Sequence, residues 1–143
     1  MIFAKSDGLC LPNPSGICTW AFIVRDTDCK IGTQKSGYVG KGKGMNSVIG
    51  EYTGMLKLLE ELNNMELKDK KISVMTDYML ISKHINGEWK VKERNPLNFL
   101  EKIMPILENI RRHNEVTVSW IPREENKEAD KLTIREYNIW KQV

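Results

Sequence analysis

The most constraining feature of this chain is a carboxylate on the apolar face of a predicted helix. Residues 46–62, NSVIGEYTGMLKLLEEL, have the periodicity of an amphipathic helix that begins after a capping asparagine. Glu51 lies on the same face as Met55, Leu58 and Leu62. Burying an unpaired carboxylate is costly, so a buried Glu51 needs a cation, a hydrogen-bonded partner or a water-filled pocket, and a metal site supplies all three. The alternative is that Glu51 lies at the edge of the apolar face and bends out to water or pairs with a lysine.

Length and composition favour one globular domain that covers residues 1–143. A chain of 143 residues can bury a sizeable core, and its 41% hydrophobic and 29% charged residues are typical of a water-soluble protein. No apolar run approaches the ~18 residues that cross a membrane. The first residues, MIFAKSDG, are too short and too polar for a signal peptide, so we expect a cytoplasmic protein without a membrane partner.

The cysteines and the net charge exclude some functions and leave others open. Cys10, Cys18 and Cys29 are odd in number and lack the CxxC spacing of a zinc site, so we expect reduced, packed thiols. The net charge of +3 is mild, and it permits a polyanionic partner without requiring one. Nothing in the sequence calls for a protein partner, and we expect a monomer.

The order of the predicted elements is typical of an α/β protein. Runs of β-branched and aromatic residues predict strands, and longer periodic segments predict helices. The predicted strands cover residues 2–7, 17–25, 30–39, 72–77 and 116–121, and the predicted helices cover 46–62, 78–85, 96–112 and a last segment capped by Asn126. Pro105 is expected to kink or split the third helix. A three-strand antiparallel meander followed by two strands that return through helices predicts a mixed five-stranded sheet with helices packed on it.

Four acids are predicted to meet at one edge of this sheet. Asp7 and Asp77 end the first and fourth strands, and they lie ~4.8 Å apart if these strands are neighbours. Glu51 and Asp130 lean in from helix starts, and Asp130 is aligned with Ile134 on an apolar line. Clustered carboxylates repel unless cations neutralise them, and an all-oxygen site suits Mg²⁺ or Mn²⁺. Two such ions ~3.5–4 Å apart can drive phosphodiester cleavage.

Four motifs carry a resemblance to a known family. They are SDGLCLPNPSG at residues 6–16, NSVIGEY at 46–52, TDYMLISKHINGEWKVK at 76–92 and WIPREENKEADKL at 120–132. In this order and spacing the chain resembles ribonuclease H of type 1, most of all its short archaeal and bacterial form. The resemblance implies the mixed five-stranded ribonuclease H fold. It also implies two-metal-ion hydrolysis of the RNA strand of RNA/DNA hybrids, leaving 5′-phosphate and 3′-hydroxyl ends.

The resemblance implies that the family's acidic quartet falls on Asp7, Glu51, Asp77 and Asp130. These four residues are then both the catalytic residues and the ligands of two Mg²⁺ or Mn²⁺ ions. Asp7 bridges both ions, and Asp130 helps to hold the ion that activates water. Glu51 and Asp77 hold the ion on the side of the leaving group.

Recognition of RNA is implied at two places. Asn46 and the backbone of Gly8, Leu9 and Cys10 match family positions that read the ribose. The 2′-hydroxyl is the group that distinguishes RNA from DNA at a given nucleotide. Asn46 is also the predicted helix cap, and capping and RNA contact do not exclude each other.

Contacts to the substrate backbone are implied at two further places. Trp89, Lys90 and Lys92 match a region of the family in which aromatic and basic residues contact the DNA strand. A solvated charged loop with Trp89 packed into the core is the alternative there. Arg123 is a candidate phosphate contact, with an ordinary surface arginine as its alternative. The expected partner is an RNA/DNA hybrid, and double-stranded RNA is left open.

Departures from the family pattern keep two other functions open. The family's usual threonine, second asparagine, alanine and serine are replaced by Met45, Ser47, Gly50 and Tyr78. Residues 122–126 also lack the usual histidine, and His84 and His113 are expected on the solvated surface. One alternative is a DNA nuclease of the same fold, resembling resolvases or integrases. The other is a catalytically silent hybrid-binding domain, against which the intact quartet argues.

Overall fold

A mixed five-stranded sheet organises the part of the chain that the computed structural model describes, residues 1–28 and 32–143. The strands are β1 (Ile2–Leu11), β2 (Ile17–Asp26), β3 (Gly32–Lys41), β4 (Lys71–Thr76) and β5 (Glu115–Trp120). The helices are α1 (Ser47–Asn64), α2 (Met79–Ile85), α3 (Arg94–Arg111) and α4 (Lys127–Trp140), and a 3₁₀ turn (Arg123–Glu125) precedes α4. The strand order β3-β2-β1-β4-β5 confirms the predicted architecture.

The central strand β1 is longer than the sequence predicted. It pairs in parallel with β4 only as far as Ser6 opposite Thr76, whereas its antiparallel pairing with β2 continues to Leu11 opposite Ile17. The predicted end of the strand at Asp7 is therefore wrong, because β2 keeps supplying hydrogen-bonding partners beyond it. Asp7 lies instead inside β1, at the point where pairing with β4 stops.

Helices cover both faces of the sheet. Thr19 and Phe22 are three residues apart in β2, so their side chains project from opposite faces. The Thr19 hydroxyl donates a hydrogen bond to the carbonyl of Thr133 in α4, whereas Phe22 packs in the main core with side chains of α1 and α3. The helices α1 and α3 therefore lie on one face, and α4 lies on the other.

Helix α3 continues through Pro105 and is not split there. Pro105 is exposed, while Ile103 and Leu107 on the other side of the helix are fully buried. Water can therefore hydrate the carbonyl that the missing proline N–H leaves free, and packing holds the helix together. Neither this helix nor any other in the described residues is sufficiently long and apolar to pass through a lipid bilayer.

Helix α4 buries small residues and not the apolar line predicted for it. Ala129 and Thr133 are fully buried, whereas Ile134 is 42% exposed. Small side chains allow the helix to approach the sheet closely enough for Thr19 to reach its backbone. Asp130, the residue after Ala129, is only partly buried and lies at the edge of the contact between α4 and the sheet.

The cysteines of the described residues agree with the expectation of packed thiols. Cys10 and Cys18 are free and buried, and they lie directly opposite each other in β1 and β2. The Cys18 thiol donates to the carbonyl of Asn46, so it helps to hold the residue before α1. Cys29 lies outside the described residues.

Candidate metal centre

Three carboxylates converge where β1 and β4 stop pairing. Asp77 directly follows β4, and Asp7 follows the last β1–β4 pair, so the register places them side by side. Glu51 reaches the same point from the second turn of α1. One carboxylate oxygen from each of the three residues lies within 4.8 Å of the others.

Glycines allow α1 to lie directly against β1 at this point. A Cβ atom on Gly8 would stand 2.2 Å from the backbone carbon of Gly50, and one on Gly54 would stand 2.4 Å from the carbonyl oxygen of Asp7. Neither distance is physically possible without moving the helix. The absence of these side chains therefore sets how close Glu51 comes to Asp7.

Glu51 is buried as its position on the apolar face predicted. Glu51 is only 7% exposed, and its Oε2 has no hydrogen-bonding partner among the described residues. Burial, followed by the charges of Asp7 and Asp77, raises the pKa of Glu51 well above its usual value. Glu51 therefore neither bends out to water nor pairs with a lysine of the described part of the chain, and both of these alternatives are wrong.

The pKa values of the two aspartates, Asp7 and Asp77, are also raised. Burial, and next the neighbouring charge of Asp77, raises the pKa of Asp7 to about 8. Burial is also the main cause that raises the pKa of Asp77, and a hydrogen bond from Asn126 and the charge of Arg123 act in the opposite direction. Three acids in these positions cannot all ionise comfortably without a positive charge between them.

The donor set fits a divalent cation. All three side chains offer carboxylate oxygens, which are the ligands that Mg²⁺ and Mn²⁺ prefer, and zinc favours nitrogen and sulfur. The unpartnered Oε2 of Glu51 is a buried acceptor that a cation can satisfy. We therefore regard Asp7, Glu51 and Asp77 as the residues that could hold a metal ion.

Asp130 lies at the rim of the same pocket and not in the tight cluster. It belongs to the first turn of α4, and its side chain is 24% exposed. Asp130 and Arg123 line the pocket together with the three clustered acids, and Arg123 Nη2 is 3.6 Å from Asp130 Oδ1. The geometry thus brings Arg123 beside the acids, and its predicted contact with a phosphate stays a prediction.

Of the residues predicted to read RNA, three line this pocket, and Asn46 directly precedes Ser47, which also lines it. Gly8, Leu9 and Cys10 line it, and Asn46 caps α1 with Oδ1, which accepts from the backbone N–H of Ile49 at 3.1 Å. The cap leaves the side-chain NH₂ of Asn46 without an acceptor among the described residues. Helix capping and a free donor thus coexist on one side chain.

Sequence reasoning missed two asparagines that build the site. Asn13, in the turn between β1 and β2, accepts from the backbone N–H of Ser47 and donates to its hydroxyl, both at 3.0 Å. Asn126 is almost fully buried, and its side chain does not cap α4 as predicted but turns towards Ser6 and Asp77. Both lie in the motifs quoted above, yet only the folded chain shows what they contact.

The predicted DNA-strand contacts are on a separate surface. Trp89 is 45% exposed and Lys90 and Lys92 are exposed, in the loop between α2 and α3. The backbone N–H of Trp89 donates to the carbonyl of Lys83, which ties the loop to the end of α2. The alternative with Trp89 packed in the core is therefore wrong. The lining of the acidic pocket does not include these residues.

One histidine departs from its predicted solvated state. The Nδ1 atom of His84 is 2.5 Å from the hydroxyl of Tyr52, which is fully buried, and the two rings stack. Burial lowers the pKa of His84. His84 therefore belongs to the packing of α1 on α2, whereas His113 is exposed as expected.

A family comparison covers most of the chain. A sequence profile of the reverse transcriptase-like family matches residues 5–135. The matched segment contains all four acids of the predicted quartet.

Solved structures with the same fold cover nearly the whole chain. LC11 RNase H1, from a compost metagenome and in complex with an RNA/DNA hybrid, has 26% sequence identity and a TM-score of 0.85, over 96% of this chain and 97% of that chain. The N-terminal RNase H domain of rv2228c from Mycobacterium tuberculosis, fused to maltose-binding protein, has 20% identity and a TM-score of 0.85, over 99% and 96%. RNase H1 from Halobacterium salinarum NRC-1 has 19% identity and a TM-score of 0.78, over 96% and 97%. The last two likenesses support the fold alone.

Proposed function

Because the chain belongs to the reverse transcriptase-like family and has the ribonuclease H fold, we propose that it is a divalent-metal-dependent nuclease that cleaves the RNA strand of RNA/DNA hybrids. The observation that carries the proposal is the cluster of three carboxylates, Asp7, Glu51 and Asp77, at the end of the β1–β4 pair. The hybrid bound to LC11 RNase H1 supports the substrate class.

In this proposal the acids hold the metal and the rim binds the substrate. Asp7, Glu51 and Asp77 hold two Mg²⁺ or Mn²⁺ ions, and Asp130 completes the ligand set from the rim. When bound, such ions lower the pKa of water and neutralise charge that develops around the scissile phosphate. Arg123 is exposed beside Asp130, where its guanidinium can bind a phosphate through two parallel hydrogen bonds.

Selectivity for RNA comes from Asn46, directly before the pocket-lining Ser47, and from the backbone that lines the acidic pocket. The free NH₂ of Asn46 can donate to a ribose 2′-oxygen while Oδ1 keeps the helix cap. The backbone of Gly8, Leu9 and Cys10 borders the same pocket and offers further contacts. A DNA strand lacks the 2′-oxygen and gains nothing from these groups.

A cleavage assay with labelled strands tests the proposal. An RNA/DNA hybrid, double-stranded RNA and duplex DNA are each incubated with Mg²⁺, Mn²⁺ or a chelator. We expect internal cuts in the RNA strand of the hybrid, with 5′-phosphate and 3′-hydroxyl ends, only when a metal is present. Equal cutting of duplex DNA would favour a DNA nuclease, and binding without cleavage would favour a silent hybrid-binding domain. The double-stranded RNA arm decides whether that substrate is also cut.

A further inference from the structure

Asn126 occupies an unusual place for a helix-capping residue. It directly precedes α4 and is 1% exposed, but its side chain makes no capping hydrogen bond. Instead, Nδ2 donates to the carbonyl of Ser6 at 2.9 Å and lies 3.4 Å from Asp77 Oδ2. Both neighbours are acceptors, so the group that faces them must be the NH₂.

These contacts join the three segments that carry aspartates at the pocket. Ser6 immediately precedes Asp7, and Asp77 is contacted directly. The backbone carbonyl of Asn126 accepts from the N–H of Asp130 at 3.1 Å, which is a first hydrogen bond of α4. Asn126 therefore connects the segments that carry Asp7, Asp77 and Asp130.

The other end of this side chain argues against a purely structural role. Asn126 Oδ1 is buried without a partner among the described residues. An asparagine selected only for stability would use both ends of its amide, and a leucine of similar volume would avoid the unpaired acceptor. The NH₂ of Asn126 leaves one oxygen of Asp77 engaged and the other available to a ligand.

We infer that Asn126 is a positioning residue of the metal centre, which orients the carboxylate of Asp77 and fixes it against the strand that carries Asp7. This inference rests on the proposed metal-dependent function. It predicts that the Asn126 side chain contributes more to metal affinity than to folding.

The experiment compares Asn126→Leu with a matched control at the other end of the sheet. Asn114 also donates from Nδ2 to two groups, the carbonyls of Leu67 and Ile110, but it contacts none of the acids. Mn²⁺ affinity is measured by calorimetry, and stability by thermal unfolding in chelator. We expect Asn126→Leu to weaken Mn²⁺ binding about 10- to 100-fold. It should lower stability less than Asn114→Leu does, because removal of the unpaired Oδ1 offsets part of the hydrogen bond lost by the Ser6 carbonyl. Asn114→Leu should lower stability and leave Mn²⁺ affinity unchanged.

Kinetics on hybrid add a second readout. Loss of positioning should lower kcat for Asn126→Leu and leave KM unchanged, since the substrate-binding rim is untouched. If Asn126→Leu does not fold, the smaller and polar Asn126→Ser decides by the same criteria. Wild-type Mn²⁺ affinity in the folded variant, or equal effects in the Asn114 control, overturns the inference alone. A wild-type chain that binds no Mn²⁺ overturns the proposed function as well.

Discussion

The two ends of the sheet treat buried polar groups in opposite ways. At the acidic end, where β1 stops pairing with β4, three buried polar atoms lack a partner among the described residues: Ser6 Oγ, Glu51 Oε2 and Asn126 Oδ1. At the basal end, formed by residues 67–71 and 111–115, Asn114 uses both ends of its amide. Its Oδ1 accepts from one backbone N–H, and its Nδ2 donates to two carbonyls.

This difference separates a region built for folding from a region built for binding. An unsatisfied buried polar group costs about 1–3 kcal/mol, so the acidic end is less stable than the same backbone could make it. The basal end has no such cost among the described residues, although the side chain of Asn114 is partly buried there. The unpartnered Oε2 of Glu51 and the raised pKa values of Glu51 and Asp7 coincide at one place, where a cation would relieve both.

The largest expected effect follows from removing one charge at the acidic end. Asp77→Asn removes a ligand and should lower turnover of hybrid by more than about 100-fold. It should leave the fold intact and raise metal-free stability, because fewer acids repel one another. Cleavage rate and thermal unfolding in chelator are measured. Asp69→Asn, an exposed acid of the basal end, is the matched control and should change neither.

If Asp77→Asn retains most of its activity, Asp77 is not a metal ligand. If it unfolds, its role is structural and the contrast between the two ends fails. Equal losses in the Asp69 control would point to net charge as the cause.

The second effect is a dependence of stability on pH. An unfolded aspartate loses its proton near pH 3.8, whereas burial and Asp77 raise the pKa of Asp7 to about 8 in the folded chain. The folded state therefore binds more protons between these values, and the free energy of unfolding should fall as pH rises from about 4 to 8. Denaturant unfolding in chelator measures this slope.

Two additions make the pH experiment specific to the acidic end. Asp7→Asn should make the slope shallower, because it removes one of the three carboxyl groups whose pKa is raised on folding. Mn²⁺ at pH 8 should restore stability to the wild-type chain by binding the ionised acids. A metal-free stability that rises steadily over this range would contradict the raised pKa values.

The sequence predicted the frame of the acidic end better than its details. Periodicity placed Glu51 towards the core, and this prediction is confirmed. The sequence left open whether the first and fourth strands are neighbours, and the structure shows that they pair in parallel. The turn of Asn126 away from α4 was not predictable, because capping is a local rule and its partners are 49 or more residues away. The bond between Thr19 and Thr133, on the buried face of α4, also joins residues that are remote in sequence.

A third prediction concerns the close approach of α1 to β1. A methyl group at Gly54 would stand 2.4 Å from the carbonyl oxygen of Asp7, so Gly54→Ala must displace the helix. We expect a loss of about 1–3 kcal/mol of stability, offset by less than about 1 kcal/mol of helix propensity. Metal affinity should fall with it, since Glu51 moves away from Asp7.

Gly50→Ala is the control within the same helix. Its added methyl group would stand 3.1 Å from the carbonyl oxygen of Leu9, a tight contact but much longer than the 2.4 Å at Gly54. We expect a stability change of less than about 1 kcal/mol there. Chemical denaturation and Mn²⁺ calorimetry of both variants compare the two positions, and equal behaviour would rule out contact distance as the cause.

A fourth prediction separates capping from RNA recognition at Asn46. Asn46→Asp and Asn46→Ser both keep an oxygen that can cap α1, and neither keeps the NH₂. We expect stability within about 0.5 kcal/mol of wild type and a several-fold higher KM for hybrid. Using both variants excludes the added charge of aspartate as the cause. An unchanged KM in both would assign Asn46 to the cap alone.

The smallest expected effect lies on the exposed loop between α2 and α3, where polarity is solvated and not buried. Lys90→Ala with Lys92→Ala should raise KM for hybrid at moderate salt, because two phosphate contacts are lost. The salt dependence of binding should also flatten, since each lost phosphate contact lowers the slope by about 0.7–0.9. Turnover at saturating substrate should change little, since the acids are untouched. Lys68→Ala with Lys71→Ala removes two exposed lysines from the basal end and controls for net charge. If both double variants behave alike, or if the loop variant keeps its salt slope, the DNA strand is held elsewhere. The next cations to substitute are then Lys35, Lys41 and Lys43.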